Sequence, residues 1–325
     1  MKTALKLLFI LDPLESLKNE KDTSLAIMRE ASHRGHALFV SMQHDLFLRG
    51  DVARINAKKF TFTAPSSIQA YSLEEASEYI PADFDAVIMR KDPPFDNEYL
   101  YSTYLLEIAA NQGTHVYNNP SAIRSWNEKL SVTRFPQFAP EFLVTANNDL
   151  IRAFLATHQD IVVKPLDGMG GSSIFRLGLN DPNISVILET ITNFGTRTIM
   201  AQRYLQEILQ GDKRIIIIDG TPLPYALARI PKAGETRGNL AAGGTGVAQL
   251  LSERDLEIAT TVGKTLKQEG LFLVGLDVIG DYLTEINVTS PTGMVEIAQQ
   301  TTCKPAQVFL DALESINQAA LHQYA

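Results

Sequence analysis

The chain has 325 residues, of which 45% are hydrophobic and 20% are charged, and its formal net charge is −8 at pH 7. This length exceeds one small core and favours two or three domains of ordinary globular composition. The negative charge argues against a general nucleic-acid binder, which needs a basic face, and the single Cys303 excludes an internal disulfide framework or a thiolate metal cluster. No run approaches the roughly 18 apolar residues of a membrane span, so we expect a cytoplasmic protein without a membrane partner.

The first third of the chain alternates strand and helix patterns. "LKLLFIL" predicts a buried strand, and "DTSLAIMREASHRG" predicts an amphipathic helix that begins near Asp22 and ends at Gly35. Strand patterns return in "HALFVSM" and "FDAVIMR", and a helix pattern follows in "NEYLYSTYLLEIAANQG". This alternation predicts an α/β domain with a doubly wound parallel sheet, which we expect to end near "NNPSAI".

The remaining two thirds predict two further α+β units. Helix patterns on both sides of "IVVKP" and "SSIFRL" favour a small lid domain. The later strands "KRIIIID" and "LPYALARI" precede a flexible loop, and "SERDLEIATTVGKTLKQEG" predicts a helix with Ser252 as N-cap and Gly270 as its end. We therefore predict three domains, at residues 1–122, 123–202 and 203–325.

The stretch "IVVKPLDGMGGSSIF" places a lysine and a glycine-rich loop between two strands. Gly168, Gly170 and Gly171 allow backbone N–H groups to wrap around an anion, Ser172 adds a hydroxyl donor and Lys164 a positive charge. The spacing is not that of a P-loop, because no Lys-Ser/Thr pair follows the glycines. A plain hairpin turn is an equally good interpretation of the loop alone. If the loop binds phosphate, we expect it to do so as a mobile hairpin lid.

The segment "LVGLDVIGDYLTEINVTSP" places two carboxylates and an amide on adjacent strands. Glu285 and Asn287 share one face, and a three-residue turn at 280–282 would set Asp277 opposite Glu285, whereas a two-residue turn would separate them. Such an oxygen-only set suits Mg²⁺ that carries nucleotide phosphates. Solvated polar residues on a strand are the less favoured alternative, because these carboxylates stand among Val, Leu and Ile.

Two other segments carry candidate binding groups. "PKAGETRGNLAAGGTG", residues 231–246, is long enough for a lid, and Arg237 within it and Arg229 before it would bring positive charge to a phosphoryl group. "MRKDPPFD" ends a predicted parallel strand, where ligands bind in open α/β sheets, so Arg90 and Asp92 are candidates for a substrate carboxylate and ammonium. A disordered loop and a surface turn are the respective alternatives.

Taken together, these motifs resemble the ATP-grasp superfamily and, within it, bacterial-type glutathione synthetases. "MRKDPPFD", "NEKL", "KPLDGMGGSSIFR", "GDKRI", "ARIP…GETRGNLAAGG" and "VGLDVIGDYLTEINVTSPTG" stand in the family's order. The resemblance implies an ATP-grasp fold with a small α+β lid domain and a C-terminal α+β catalytic domain. It also implies an ATP-dependent ligase that joins γ-glutamylcysteine and glycine through an acyl phosphate, and a homotetramer or homodimer.

The resemblance also implies roles for individual positions. The residues expected to bind ATP are Lys129, Lys164, Gly168, Gly170, Gly171, Ser172, Gln202, Tyr204, Leu205, Asp212 and Asn287. The residues expected to bind the other substrates are Arg90, Asp92, Arg229, Ser290 and Thr292. The residues expected to act on the reacting groups are Arg214, Arg229 and Arg237. The residues expected to hold two Mg²⁺ ions, with Mn²⁺ as an alternative metal, are Asp277, Glu285 and Asn287.

Three alternatives compete with this interpretation. Another ATP-grasp amide ligase, such as a D-alanine–D-alanine or glutamate-adding ligase, is the nearest, but "MRKDPPFD" and "GETRGNLAAGG" favour the glutathione family. A nucleotide-binding regulatory module is disfavoured because the metal carboxylates and lid glycines are all present. A dehydrogenase would need a dinucleotide glycine fingerprint, which is missing. The resemblance weakens after residue 293, because Val295 stands where a basic residue is expected.

Overall fold

The structure is a computed structural model that describes residues 4–18, 20–63, 70–235, 237–238, 240 and 243–323. The strands of these residues form three sheets, which follow one another along the chain between residues 6 and 117, 142 and 203, and 212 and 287. This arrangement agrees with three structural units and with the predicted ATP-grasp layout. The domain boundaries themselves stay predictions, and the second falls at the end of a strand. No helix in the described part of the chain combines the length and apolar character that a bilayer span needs.

The first sheet has a parallel centre and an antiparallel extension. Its strands are β1 (Lys6–Leu11), β2 (Ala37–Met42), β3 (Leu46–Arg49), β4 (Val52–Phe62), β5 (Tyr71–Leu73), β6 (Ser77–Tyr79), β7 (Ala86–Met89) and β8 (Val116–Tyr117). The order is β3-β4-β2-β1-β7-β8, with β5 and β6 also paired to β4. The strands β2, β1, β7 and β8 run parallel, as predicted. The antiparallel β4 and its partners were not predicted.

Helices cover both faces of this sheet. They are α1 (Thr23–His33), α2 (Asn97–Asn111) and α3 (Pro120–Ser125). Because successive side chains of a strand point to opposite faces, Leu7 and Phe9 of β1 join the apolar cluster of α1, whereas Leu8 and Ile10 join that of α2. Asp22 caps α1 as predicted, its carboxylate accepting a hydrogen bond from the Leu25 amide at 2.8 Å. The doubly wound prediction is confirmed.

The second sheet is small and antiparallel. Its elements are β9 (Phe142–Thr145), α4 (Asn148–His158), β10 (Asp160–Pro165), β11 (Phe175–Gly178), α5 (Ile184–Ile191) and β12 (Ile199–Arg203). The order is β11-β10-β12-β9. Residues of both helices pack with Val163 and Leu177 in one apolar cluster. The predicted α+β unit and its β10–β11 hairpin, which carries the glycine loop, are confirmed.

The third sheet has five strands and is antiparallel throughout. Its strands are β13 (Asp212–Ile218), β14 (Thr221–Ile230), β15 (Thr245–Leu250), β16 (Leu273–Ile279) and β17 (Tyr282–Asn287), and the helices are α6 (Glu253–Gln268), α7 (Met294–Gln300) and α8 (Pro305–Gln323). The order is β15-β14-β13-β16-β17, with every neighbouring pair antiparallel. Ser252 caps α6 as predicted, with a hydroxyl that accepts from the Asp255 amide at 3.1 Å.

Two local predictions were wrong. The turn between β16 and β17 contains two residues, not three, because Ile279 pairs with Tyr282. A register shift in the hairpin nevertheless brings Asp277 opposite Glu285. The predicted loop 231–246 is shorter at its end, because residues 245 and 246 begin β15 and extend the sheet alongside β14. Residues 236, 239, 241 and 242 of that loop lie outside the described residues.

Candidate active site

A cavity of about 610 Å³ lies between the glycine loop, the third sheet and the carboxyl ends of β1 and β7. This volume is in the range of sites that enclose a ligand of nucleotide size. Every site residue predicted from the sequence lines the cavity, with the exception of Arg90. Groups that are up to about 200 positions apart in the chain therefore share one surface.

Two buried lysines stand between the glycine loop and β17. The Lys129 ammonium lies 2.7 Å from the Gly168 carbonyl oxygen and 3.0 Å from a carboxylate oxygen of Glu285. The Lys164 ammonium donates to the Thr284 carbonyl at 3.2 Å. Burial lowers the pKa of Lys164 to about 8. Burial acts in the same direction on Lys129, but the hydrogen bond to Glu285 and the combined charges of Glu285, Glu128 and Asp277 outweigh it and raise the pKa of Lys129. Both cations are placed for an anion under the glycine loop.

The centre of the third sheet holds a buried network of opposite charges. Arg214 binds both carboxylate oxygens of Asp277, at 2.6 and 3.1 Å, and Arg229 lies 2.8 Å from the second of them. Arg229 also pairs with Asp212. Burial alone would raise the pKa of Asp277, but the two guanidinium groups hold it well below its usual range. Burial raises the pKa of Asp212 to about 6, and its Oδ1 atom is buried without a hydrogen-bond partner among the described groups.

The predicted metal residues present oxygen ligands to the same cavity. Glu285 and Asn287 lie on one face of β17, and Asp277 stands opposite Glu285 on β16. Carboxylate and amide oxygens suit Mg²⁺, so the donor set fits. Since guanidinium groups hold both oxygens of Asp277, metal binding there would compete with Arg214 or Arg229. The metal assignment stays a prediction, and Glu285 and Asn287 fit it best.

The end of β17 continues into the predicted substrate end of the cavity. Ser290 donates its hydroxyl hydrogen bond to the Asp92 carboxylate. Arg90 does not line the cavity. Its buried guanidinium donates to the Ser24 hydroxyl and the Pro291 carbonyl, both at 2.9 Å. Its Nη1 donor is buried without a partner among the described residues, so the substrate contact predicted for Arg90 stays a prediction. Thr292 is exposed at the cavity.

The opposite end of the cavity carries the groups predicted for the nucleotide base and lid. The Arg176 guanidinium lies 3.8 Å from the centre of the Tyr204 ring. The Gln202 side chain is buried, and its Nε2 donor lacks a partner among the described residues. Arg237 donates to the Gly171 carbonyl at 3.3 Å, so the two glycine-rich loops touch. The Gln202 donor is therefore available to a ligand at this end.

Several cavity residues were missed by the sequence reasoning. They are Asp12, Lys18, Lys21, Lys91, Glu128, Arg176 and Glu296. Glu128 stood beside Lys129 in the quoted motif "NEKL", which was the available signal. Lys91 and Arg176 likewise stood in the quoted motifs "MRKDPPFD" and "KPLDGMGGSSIFR". Asp12, Lys18, Lys21 and Glu296 lie in segments whose sequence shows no pattern specific to a site, and only the packing of the three sheets brings them to the cavity.

Comparison with known proteins assigns the family. The sequence matches the model of the prokaryotic glutathione synthetase N-terminal domain over residues 5–124, and that of the corresponding ATP-grasp domain over residues 128–302. The chain belongs to the prokaryotic glutathione synthetase family. It is 59% identical to a glutathione synthetase of Nitrosomonas europaea over 312 residues, which cover 95% of this chain and 98% of the relative. A glutathione synthetase of Pseudomonas aeruginosa is 52% identical with the same coverage.

Solved structures of lower identity show the fold of this family member. The D-cycloserine synthetase DcsG superimposes with a TM-score of 0.66 at 14% identity, covering 96% of this chain and 99% of that chain. The ATP-grasp ligase PsnB, complexed with a precursor peptide and AMPPNP, gives 0.62 at 18% identity and covers 96% and 98%. The predicted ATP-grasp fold is confirmed. These distant ligases show the fold alone, whereas the glutathione synthetase relatives favour the first functional prediction over another amide ligase.

Proposed function

We infer that the protein catalyses the ATP-dependent joining of γ-glutamylcysteine and glycine into glutathione, with release of ADP and phosphate. The observation that carries this conclusion is the family match across residues 5–124 and 128–302. The cavity supports it, because the residues that the ATP-grasp resemblance assigns to nucleotide and metal line one surface. The same surface includes Asp12 and Asp92, which follow β1 and β7 of the N-terminal sheet, and we place a second substrate there.

The reaction needs positive charge around a transferring phosphoryl group. An oxygen of the dipeptide carboxylate attacks the γ-phosphorus of ATP, and the bond to ADP breaks, which leaves an acyl phosphate. The nitrogen of glycine then attacks the acyl carbon, phosphate leaves, and the amine gives up its proton. We assign Lys129 and Lys164 to the ATP phosphates and Arg214 and Arg229 to the reacting groups, since all four cations are buried at the cavity.

We assign roles to the two glycine-rich loops and to the residues expected to bind the adenine base and the ribose. The glycine loop with Ser172 would cover the phosphates, and Arg237, which touches Gly171, would help to exclude water from the acyl phosphate. Gln202, Tyr204 and Leu205 would bind adenine. Asp212 would accept from the ribose hydroxyls, although its present pairing with Arg229 competes with that role.

A divalent metal would supply further charge neutralisation on the phosphates when it is bound. Glu285 and Asn287 would hold it, with Asp277 as a third ligand if an arginine releases it. We propose Mg²⁺ as the metal, since the ligands are hard oxygen donors, and two ions as the number from the family resemblance. Manganese is an alternative for the same donors.

The substrates and the assembly complete the proposal. Asp92, Ser290 and Thr292 would contact the dipeptide or glycine, because they lie where the N-terminal sheet meets the end of β17. We propose a homotetramer or a homodimer from the family resemblance. We also propose a cytoplasmic location, because the reaction consumes ATP.

A coupled assay of ADP release tests the reaction. Turnover is expected with γ-glutamylcysteine plus glycine and Mg²⁺, with glutathione identified by mass spectrometry. D-alanine as the only amino-acid substrate is the matched comparison. Turnover restricted to D-alanine would replace the proposal with a D-alanine ligase, and nucleotide binding without any product would indicate a regulatory module.

A further inference from the structure

Side chains from elsewhere in the chain hold the segment that follows β17. We call residues 288–292 the substrate strap, because it contains the predicted substrate residues Ser290 and Thr292. Asp92 holds Ser290, Arg90 donates to the Pro291 carbonyl at 2.9 Å, and Arg214 donates to the Thr292 carbonyl at 3.3 Å. These contacts hold the last three residues of the strap, and Glu128 holds the first two.

Glu128 makes the densest contact with the strap. One oxygen of its carboxylate accepts from the Val288 amide at 3.1 Å, the Thr289 amide at 3.3 Å and the Thr289 hydroxyl at 2.8 Å. The backbone carbonyl of Glu128 accepts from the Ile286 amide at 2.8 Å. Three donors that converge on one acceptor atom are fixed relative to one another, so this side chain orients the strap at its root.

The position is costly for a negative charge. Burial, together with the nearby carboxylate of Glu285, raises the pKa of Glu128. The three donors of the strap oppose that penalty by binding the charged form. The hydrogen bonds from the strap therefore stabilise the ionised Glu128 side chain, and the same bonds hold the strap in position.

The residues beside Glu128 connect the strap with the glycine loop. Asn127 donates its side-chain amide to the Leu166 carbonyl at 3.1 Å, and Lys129 contacts both the Gly168 carbonyl and Glu285. Three consecutive residues, 127–129, therefore hold the root of the loop, the strap and the metal-facing strand. A shift of this segment would displace all of them together.

We propose that Glu128 is a positioning residue that fixes the substrate strap relative to the glycine loop during ligation. The inference rests on the proposed ligase function. Glu128 acts through hydrogen-bond acceptance and transfers no proton. Its loss lets the strap move, which separates Ser290 and Thr292 from the substrates while the nucleotide groups stay in place.

Three variants and one control test this role. Glu128→Ala removes the acceptor, Glu128→Gln keeps an oxygen acceptor without the charge, and Thr289→Val removes one donor at constant shape. Glu314→Gln is the control, because it removes another buried carboxylate, which contacts Arg34 and His36 away from the cavity. Initial rates would be measured against ATP, γ-glutamylcysteine and glycine separately, at several pH values, with folding checked by thermal denaturation.

We expect Glu128→Ala to lower kcat/KM for γ-glutamylcysteine and glycine by about tenfold or more, since small misplacements are costly in catalysis. The KM for ATP should stay within about twofold, because the phosphate-binding lysines remain. Glu128→Gln should recover most of the activity, with the wild-type pH profile. The kcat/KM of Thr289→Val should lie between those of Glu128→Ala and the wild type. Glu314→Gln should keep wild-type kinetics.

Other outcomes would overturn the inference. A folded Glu128→Gln protein as inactive as Glu128→Ala would mean that the carboxylate acts through its charge or as a base. Wild-type kinetics in Glu128→Ala would remove the role altogether. If Glu128→Ala does not fold, unchanged kinetics in Thr289→Val would serve as the refutation. A wild-type protein that forms no glutathione would instead refute the proposed function, and the inference with it.

Discussion

Asp277 lies directly opposite Glu285 on β16 and β17, although only Gly280 and Asp281 form the turn between these strands. The register shifts beside Asp277, which leaves Thr284 as an extra residue in β17. The Thr284 carbonyl accepts from the Lys164 ammonium at 3.2 Å, and its hydroxyl donates to the Asp277 carbonyl at 3.1 Å. One bulge therefore pairs the carboxylates and anchors Lys164, the lysine that we propose to bind phosphate.

Glu285→Gln is expected to lower kcat by about two to three orders of magnitude, as the loss of a main electrostatic group does in other enzymes. The amide would bind a divalent metal weakly and would no longer pair with Lys129. Steady-state rates across a Mg²⁺ titration, with thermal denaturation as a folding check, measure this. Asp281→Asn in the turn of the same hairpin is the control, because Asp281 is exposed. Wild-type turnover in Glu285→Gln would refute the metal assignment.

Asp277→Asn is expected to destabilise the fold as well as reduce turnover. Two buried guanidinium groups would lose their shared counter-charge, which costs about 3–5 kcal/mol when one partner of a buried pair is removed. Because the folded state holds the pKa of Asp277 below its unfolded value of about 4, the stabilisation is present above pH 4 and is lost only as pH falls through the lowered value.

Urea denaturation at pH 7 measures that loss. The control is Asp219→Asn, whose partner Lys267 is largely exposed, so the change should cost less than about 1 kcal/mol. Equal urea midpoints for Asp277→Asn and the wild type would contradict the ion-pair network.

We expect the affinity of the protein for ATP to depend on pH through Lys164. Burial lowers its pKa to about 8, so the free protein loses this ammonium as pH rises through that value. ATP binding above pH 8 must then take up a proton, and the affinity should fall by up to about tenfold per pH unit. Calorimetry in buffers of different ionisation enthalpy detects the proton. Lys164→Arg keeps its charge and should flatten the profile, whereas a flat wild-type profile from pH 7 to 9.5 would exclude this role.

The glycine loop depends on positive backbone angles. Gly171 has φ +81°, a conformation that costs an L-residue about 1–2 kcal/mol. Gly171→Ala should therefore raise the KM for ATP by about five- to thirtyfold, since 1.4 kcal/mol is about tenfold. Gly178→Ala, in the same hairpin, is the control, because an added Cβ there meets no atom within 4 Å. Equal KM values for the two variants would show that the loop does not need this conformation to bind ATP.

Local patterns in the sequence were sufficient for the family and for most of the fold, but not for the antiparallel β4 and its partners. Alternating strands and helices predicted the parallel centre of the first sheet, and Asp22 and Ser252 marked the starts of two helices. These features depend on residues within a few positions of one another, where spacing decides which face is buried. The ordered motifs predicted the family, since each carries a binding group whose type and spacing are visible in the chain.

The arrangement of charges was decided by tertiary structure alone. The sequence predicted that Asp277 and Glu285 pair, but for the wrong reason, because a turn length can be counted whereas a bulge depends on what the neighbouring strands supply. The sequence did not indicate that two arginines bind Asp277, that Arg90 lies outside the cavity lining, or that Glu128 holds the substrate strap. Such contacts join groups 48 to 201 positions apart. Their energies depend on burial, which exists only once the three sheets have packed together.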